Sequence, residues 1–202
     1  AKTYVLEGGA PAVEMNFRFE LEYGPKKDGN NTEHGPITPY LLCGHLDRVV
    51  EFSEDLYVMD RKTTKSQLSQ WYFSGFEPDN QMTLYTLAGK VVLEAPIRGV
   101  IIDGAQVMPE YSAFQRGLTY RTPDQLEEWL SDLKVLFAEM EQAAIDDHYP
   151  QNDKYCGAYR SESSGSTGCP FRHLCSRSPS TREIFIRSDY EVVEQWSPLT
   201  PR

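Results

Sequence analysis

The 202-residue sequence lacks several things, and each absence excludes a class of protein. It has no apolar run of about 18 residues, so no membrane-spanning helix is expected. It shows no signal peptide, and it opens on Ala1 with no Met. Ala1 to Ala12 reads like the middle of something, so an upstream segment is expected to be missing. Basic residues are scarce: 20 Lys and Arg against 30 Asp and Glu leave a net charge of -10 at pH 7. That balance argues against a surface broadly coated with nucleic acid, although a narrow basic channel remains compatible with it. There are only four cysteines, too few for a dense secreted disulfide framework. Three of them, Cys156, Cys169 and Cys175, lie close together and point to metal first. No internal repeat is present. What remains, 40% hydrophobic and 12% aromatic residues, suits one sizeable core without a second domain.

Val13 to Tyr23 alternates, with Val13, Met15, Phe17, Phe19 and Leu21 on one face, which predicts a half-buried strand. A polar turn-rich loop follows, "GPKKDGNNTEHGP". Tyr40 to Phe52 is apolar on both faces and predicts a central strand. The turn Ser53-Glu54-Asp55 then hairpins it to a strand over Leu56 to Arg61. Ser66 to Glu77 reads as a polar and aromatic connection, and Pro78-Asp79 as the start of a helix. Ile97 to Val107 and Phe114 to Arg121 predict two more strands. Thr122-Pro123-Asp124-Gln125 is a capping sequence for a helix reaching about Asp146. Its stripe of Leu126, Leu130, Leu133, Phe137, Met140 and Ala144 is expected to pack on the core. Beyond His148 the chain is "ESSGSTG"-like and holds only short apolar pieces, around Ile184 to Ile186 and Tyr190 to Trp196.

The charges inside the apolar runs are the anomaly. Asp47 interrupts the second strand, and Asp60 and Lys62 end the third. Residues two apart on a strand share a face, so Asp60 and Lys62 point the same way, and the hairpin brings Asp47 alongside. Two adjacent carboxylates repel unless one keeps a proton or a cation intervenes. Mg²⁺ suits oxygen ligands and can activate water for attack on a phosphoryl centre. By spacing alone the same residues also fit a solvated strand end, with Asp47 paired to Arg48 or Lys62.

"GHLDRV", "YVMDRKTTK" and "QMTLY", in that order and with those gaps, resemble the core of the PD-(D/E)XK nuclease superfamily. The similarity is to the RecB-type branch, which includes phage exonucleases. It covers Glu14 to Tyr85, and "RGVIIDGAQV" and the Trp129 helix are similar to that family's later elements. The resemblance implies a restriction-endonuclease-like α/β fold with a mixed central sheet flanked by helices. It implies a nuclease core over residues 1–147 and a cysteine-containing tail over 148–202 packed on it. It implies Asp47 and Asp60 as ligands of Mg²⁺ or Mn²⁺, the Arg61 carbonyl as a further ligand, and Lys62 as the catalytic lysine. Glu14 matches an acid near the metals in these enzymes. Gln81 and Tyr85 match a helical pair that holds DNA or the lysine; without the resemblance they fit an ordinary amphipathic helix. One element of the pattern is absent: nothing before Val13 supplies the branch's upstream histidine. His45 shares a strand face with Asp47 but reads as a core or supporting histidine.

"C-P-F-R-H-L-C" within the cysteine cluster resembles the C-terminal tail of RecB-type nucleases that hold an iron–sulfur cluster. That implies a [4Fe–4S] cluster, with zinc as the alternative, on Cys156, Cys169 and Cys175 and a fourth cysteine upstream. Reduced, unliganded thiols in a loose tail are the simpler reading. Cys43 reads as a buried apolar residue. Lys65, Trp71, Tyr72, Phe73 and Phe76 fit either base stacking or anchoring of a connection. The expected protein is a metal-dependent DNA exonuclease of phage or bacterial recombination, cytoplasmic, with DNA and possible protein partners. The alternative is an inactive nuclease-like module that binds DNA or protein.

Overall fold

The structure, a computed structural model, describes residues 1–21, 40–151 and 169–193. The Gly24 to Pro36 loop, Cys156, the "ESSGSTG" segment and Trp196 lie outside the described residues. By compactness the chain divides in two, with the boundary between Lys134 and Val135.

The first unit is built on a mixed sheet. Its strands are β1 (Lys2–Thr3), β2 (Val13–Leu21), β3 (Tyr40–Phe52), β4 (Asp55–Thr64), β5 (Ile97–Val107) and β6 (Ser112–Thr119). The spatial order is β1-β3-β4-β5-β6, with β2 also paired to β3. Only β4 and β5 run parallel. The others pair antiparallel, β3 taking β1, β2 and β4, and β5 taking β6. The expected α/β architecture with a mixed central sheet is therefore what forms.

Local chemistry explains the connections. β3 and β4 are joined by Ser53 and Glu54, both with positive φ (51° and 70°), as a two-residue hairpin of matching twist requires. A parallel β4–β5 pair needs a crossover. It contains α1 (Gln70–Ser74) and α2 (Asn80–Leu93). The aromatic connection thus holds a short helix that local pattern did not reveal. Ser69 caps it, accepting a hydrogen bond from Tyr72 N–H. α2 starts two residues after Pro78, which lies outside the helix: Asp79 is the cap, accepting from Met82 N–H at 2.9 Å. α2 lies so close to the sheet that a Cβ on Gly89 would meet Val58 Cγ2 at 2.8 Å. Around it Val49, Val58, Met82, Tyr85, Ala88, Ile97, Val100 and Ile102 form the main buried cluster. A smaller one joins Val50, Tyr57, Met59 and Ile101.

α3 (Pro123–Ile145) opens with the expected capping box: Gln125 N–H donates to Thr122 Oγ1 at 3.2 Å and Thr122 N–H to Gln125 Oε1 at 2.9 Å. Within the first unit its apolar stripe is buried at Leu126 and half-buried at Leu130 and Leu133. In the second unit, α4 (Arg172–Cys175) and α5 (Pro179–Asp189) are helices where the sequence showed only short apolar pieces. There Arg177 lies 4.1 Å from the centre of the Phe185 ring, and Phe171 stacks on Tyr190.

Candidate active site

The β3–β4 ladder pairs Arg48 with Met59, so the next step along it sets Asp47 opposite Asp60. On the other side, β2 pairs Val13 with Arg48 and Met15 with Leu46, which sets Glu14 opposite Asp47. Three acids on three neighbouring strands thus form one row. The row coincides with an irregularity. Glu14 has a φ of 48°, strained for a residue with a side chain. Leu46 and Val49, three apart, join the same buried cluster, so strict alternation fails through Asp47 and Arg48.

Hydrogen bonds fix the group. Asp47 Oδ2 accepts from the main-chain N–H of Arg61 at 3.1 Å. Lys62 Nζ lies 2.9 Å from Asp60 Oδ2 and donates to Gln81 Oε1 at 2.7 Å. Gln81 Nε2 in turn donates to Tyr85 Oη at 3.1 Å. Asp60, only 3% exposed, is the most buried acid of the row, and the Lys62 ammonium sits beside its Oδ2 without lining up a hydrogen bond. Burial pushes the Asp60 carboxyl above the usual aspartate range; Lys62 opposes this, and Asp47 and Asp79 add to it. Burial, then the charge of Asp60, also raises the Tyr85 and Tyr72 phenols.

The donor set suits a hard divalent cation. Asp60 Oδ2 is buried without an aligned donor, and Asp47 has one oxygen not used on Arg61 N–H. No group of three or more His, Cys, Asp or Glu side chains converges as a metal cage among the described residues. Two carboxylates plus water are enough for Mg²⁺, which keeps most of its own waters.

Other sequence candidates fall as follows. His45 Nε2 is buried without a hydrogen-bond partner among the described residues and does not complete a metal cage. Cys43 is half-buried, opposite Arg18. Cys169 precedes α4 and Cys175 is its last residue; both are free, half-buried thiols. They are two of the three cysteines from which a cluster was expected, Cys156 lying outside the described residues. In the aromatic connection, Phe73 packs where a Cβ on Gly117 would go and Tyr72 lies edge-on to Phe73 and Phe76, while Trp71 is 87% exposed.

Sequence reasoning missed Asp103. Its Oδ2 accepts from Arg61 Nε at 3.2 Å and from the Arg61 terminal nitrogen at 3.0 Å, and its Oδ1 accepts from Arg116 Nε at 2.9 Å. The signal was available: an acid inside the apolar run "GVIIDGAQV", the same anomaly that marks Asp47. Arg121 was also missed. It is 9% exposed and donates to Thr83 Oγ1, Thr119 Oγ1 and the carbonyls of Tyr120, Phe76 and Asp79. It lines a cleft of about 520 Å³ beside Trp129, but its N–H groups are spent within the protein.

A family model of the PD-(D/E)XK nuclease superfamily matches residues 6–176. The chain belongs to the PD-(D/E)XK nuclease superfamily. The mixed sheet with its helical crossover is accordingly of the restriction-endonuclease-like kind. No curated protein matches the chain. Members of this superfamily generally hydrolyse nucleic acids and usually use Mg²⁺ or Mn²⁺. No helix among the described residues is long and apolar enough to cross a membrane.

Proposed function

We propose that this PD-(D/E)XK protein is a Mg²⁺- or Mn²⁺-dependent deoxyribonuclease, acting as an exonuclease on DNA ends or single strands in DNA processing or recombination. The observation that carries the reading is the placement of Lys62 between Asp60 and Gln81, with Asp47 bonded to the main-chain N–H of the intervening Arg61. Asp47 and Asp60 would hold the metal, and the Arg61 carbonyl and Glu14 would be the further oxygen donors. Bound there, the metal supplies Lewis acidity toward a phosphoryl oxygen and lowers the pKa of a coordinated water.

The chain's own groups do the rest. Lys62 Nζ, oriented by Gln81, donates to the attacking water or to the developing charge on the phosphate. Tyr85 fixes Gln81 from one helical turn away, so the ammonium is aimed before substrate arrives. The burial of Asp60 keeps bulk water from screening these interactions. A cluster of [4Fe–4S] type, or zinc, on Cys156, Cys169 and Cys175 belongs to the same reading as a staple of the tail; a brown protein absorbing near the blue end would support it, and colourless protein containing zinc would replace it.

The test is degradation of end-labelled DNA with Mg²⁺ or Mn²⁺. Loss in EDTA and in Lys62→Ala supports the enzyme; cleavage that persists in both refutes the assigned site. One observation favours the second reading, a module that binds DNA or protein without cutting: no histidine joins the acids among the described residues. DNA binding without any metal-dependent cleavage would establish it.

A further inference from the structure

The register of β4, β5 and β6 sets Gly104 beside Lys62, Ile102 beside Asp60 and Gly117 beside Ile102. Residues opposite one another on neighbouring strands project to the same side of a sheet. A Cβ on Gly104 or Gly117 would therefore rise on the side that carries Asp60 and Lys62. At Gly117 it would collide with the Phe73 ring, and at Gly104 it would press on Phe73 and Leu68. The two glycines are the seat on which α1 rests. Gly104 lies one strand, ~5 Å, from Lys62, and Gly117 lies two strands, ~10 Å, from Asp60. The short helix is thus a neighbour of the candidate active site on its own side of the sheet. The charge of Asp60 is felt at the Tyr72 phenol, which agrees with that placement.

α1 is firmly mounted. Ser69 caps its start, and Phe73 packs on the glycine seat. Tyr72 lies edge-on to Phe73 and Phe76, and the buried Arg121 donates to the Phe76 carbonyl at 3.0 Å. None of these contacts uses the Trp71 ring. Two residues before Phe73, it stands about 200° around the helix, facing away from the sheet. It is 87% exposed, the most exposed aromatic ring among the described residues. Its own carbonyl accepts from Ser74 Oγ at 2.8 Å, so the backbone beneath it is fixed. A Trp left in water forgoes the burial of roughly 150–250 Å². The fold gains little from it.

An open aromatic face on a rigid mount suits one ligand chemistry well. Every nucleobase has a π-face, and an unpaired base has one free to stack. A chain of net charge -10 draws little from broad attraction to phosphate, so a contact that needs no charge has more to supply. A ring already held in place also loses less freedom on binding.

We propose that Trp71 is the stacking platform for an unpaired base of the DNA strand held at Lys62. The platform rests on the nuclease reading above and adds to it a substrate class, single strands and frayed ends. Phe73, Tyr72 and Phe76 anchor the platform, and Trp71 alone meets the base.

The experiment is fluorescence anisotropy of the full chain with Ca²⁺ in place of Mg²⁺. It uses a labelled single-stranded oligonucleotide and a matching strand of abasic tetrahydrofuran units. Trp71→Ala is expected to weaken binding of the normal strand about 5- to 150-fold, the range for one stacked base. Its affinity for the abasic strand should equal that of wild type. Trp71→Tyr keeps an aromatic face and should retain most of the affinity. Trp71→Leu, apolar without that face, should share the loss and serves if the alanine variant does not fold, as judged by its Tm. If the variant binds the normal strand like wild type, or loses the same factor on both strands, the platform is wrong. Metal-dependent cleavage by wild type then keeps the nuclease reading. If wild type neither binds nor cleaves DNA, both fall together.

Discussion

The carboxylate of Asp47 is tied to the main chain of Arg61 by a 3.1 Å hydrogen bond, so the acid of one strand is held by the residue that separates Asp60 from Lys62 on the next. This couples the site to the β3–β4 hairpin itself. Asp47 cannot shift without disturbing the main chain between Asp60 and Lys62.

Lys62→Ala is expected to lower kcat for DNA hydrolysis by about 10²-fold or more, the range for a removed proton-transfer or charge-stabilising group. Circular dichroism should be unchanged, since Lys62 is a partly exposed strand residue. Lys62→Arg should rescue poorly, because a planar guanidinium cannot replace a compact ammonium between Asp60 and Gln81.

Divalent metal should stabilise the protein. At a hundred times its Kd, Mg²⁺ or Mn²⁺ adds about 2.7 kcal/mol, a rise in Tm of roughly 5–10 °C for a chain of this size. Asp60→Asn should abolish that rise. The variant should also melt higher than metal-free wild type at pH 7. The Asp60 pKa is raised in the fold, so wild type loses stability as pH climbs from the ordinary aspartate value through the raised one. Above that window the amide escapes the cost of a buried charge, and the difference in Tm should vanish at acid pH.

Asp103 has the opposite sign. Its pKa is lowered in the fold, so its contribution is present above the ordinary aspartate value and is lost as pH falls through the lowered one. Asp103→Asn should destabilise the chain by about 1 kcal/mol at pH 7. Urea melts across pH should show the two proteins converging at strongly acid pH.

Arg121→Met should cost about 3–5 kcal/mol in urea unfolding, because it strips donors from buried carbonyls and hydroxyls at the start of α2 and the end of β6. Arg121→Lys should recover little, since one ammonium cannot reach Thr83, Thr119 and the Phe76 carbonyl together. Near wild-type stability of either variant would count against the network.

Much of the sheet was legible before any coordinates. The runs Tyr40–Phe52 and Ile97–Val107 are strands over those same residues, because each is a continuous apolar stretch closed by turn formers. The hairpin count also placed Asp47 across from Asp60, since a short turn leaves the register little choice. The strand before α1 was read too short: β4 continues to Thr64, because pairing with β5 sustains residues whose own pattern is polar. α1 escaped notice because its aromatics are anchored by distant glycines, with Phe73 seated on Gly117 and Gly104.

What the sequence alone determined is the five longer strands, the hairpin register and the unusual acids within apolar runs, since these follow from short-range periodicity and turn chemistry. Only tertiary structure decided which groups meet. Crossing from β4 to β5 through α2 carries Gln81 to Lys62 and sets Asp103 beside Arg61. Those contacts span 19 and 42 residues of chain, and no local rule of side-chain spacing reaches that far.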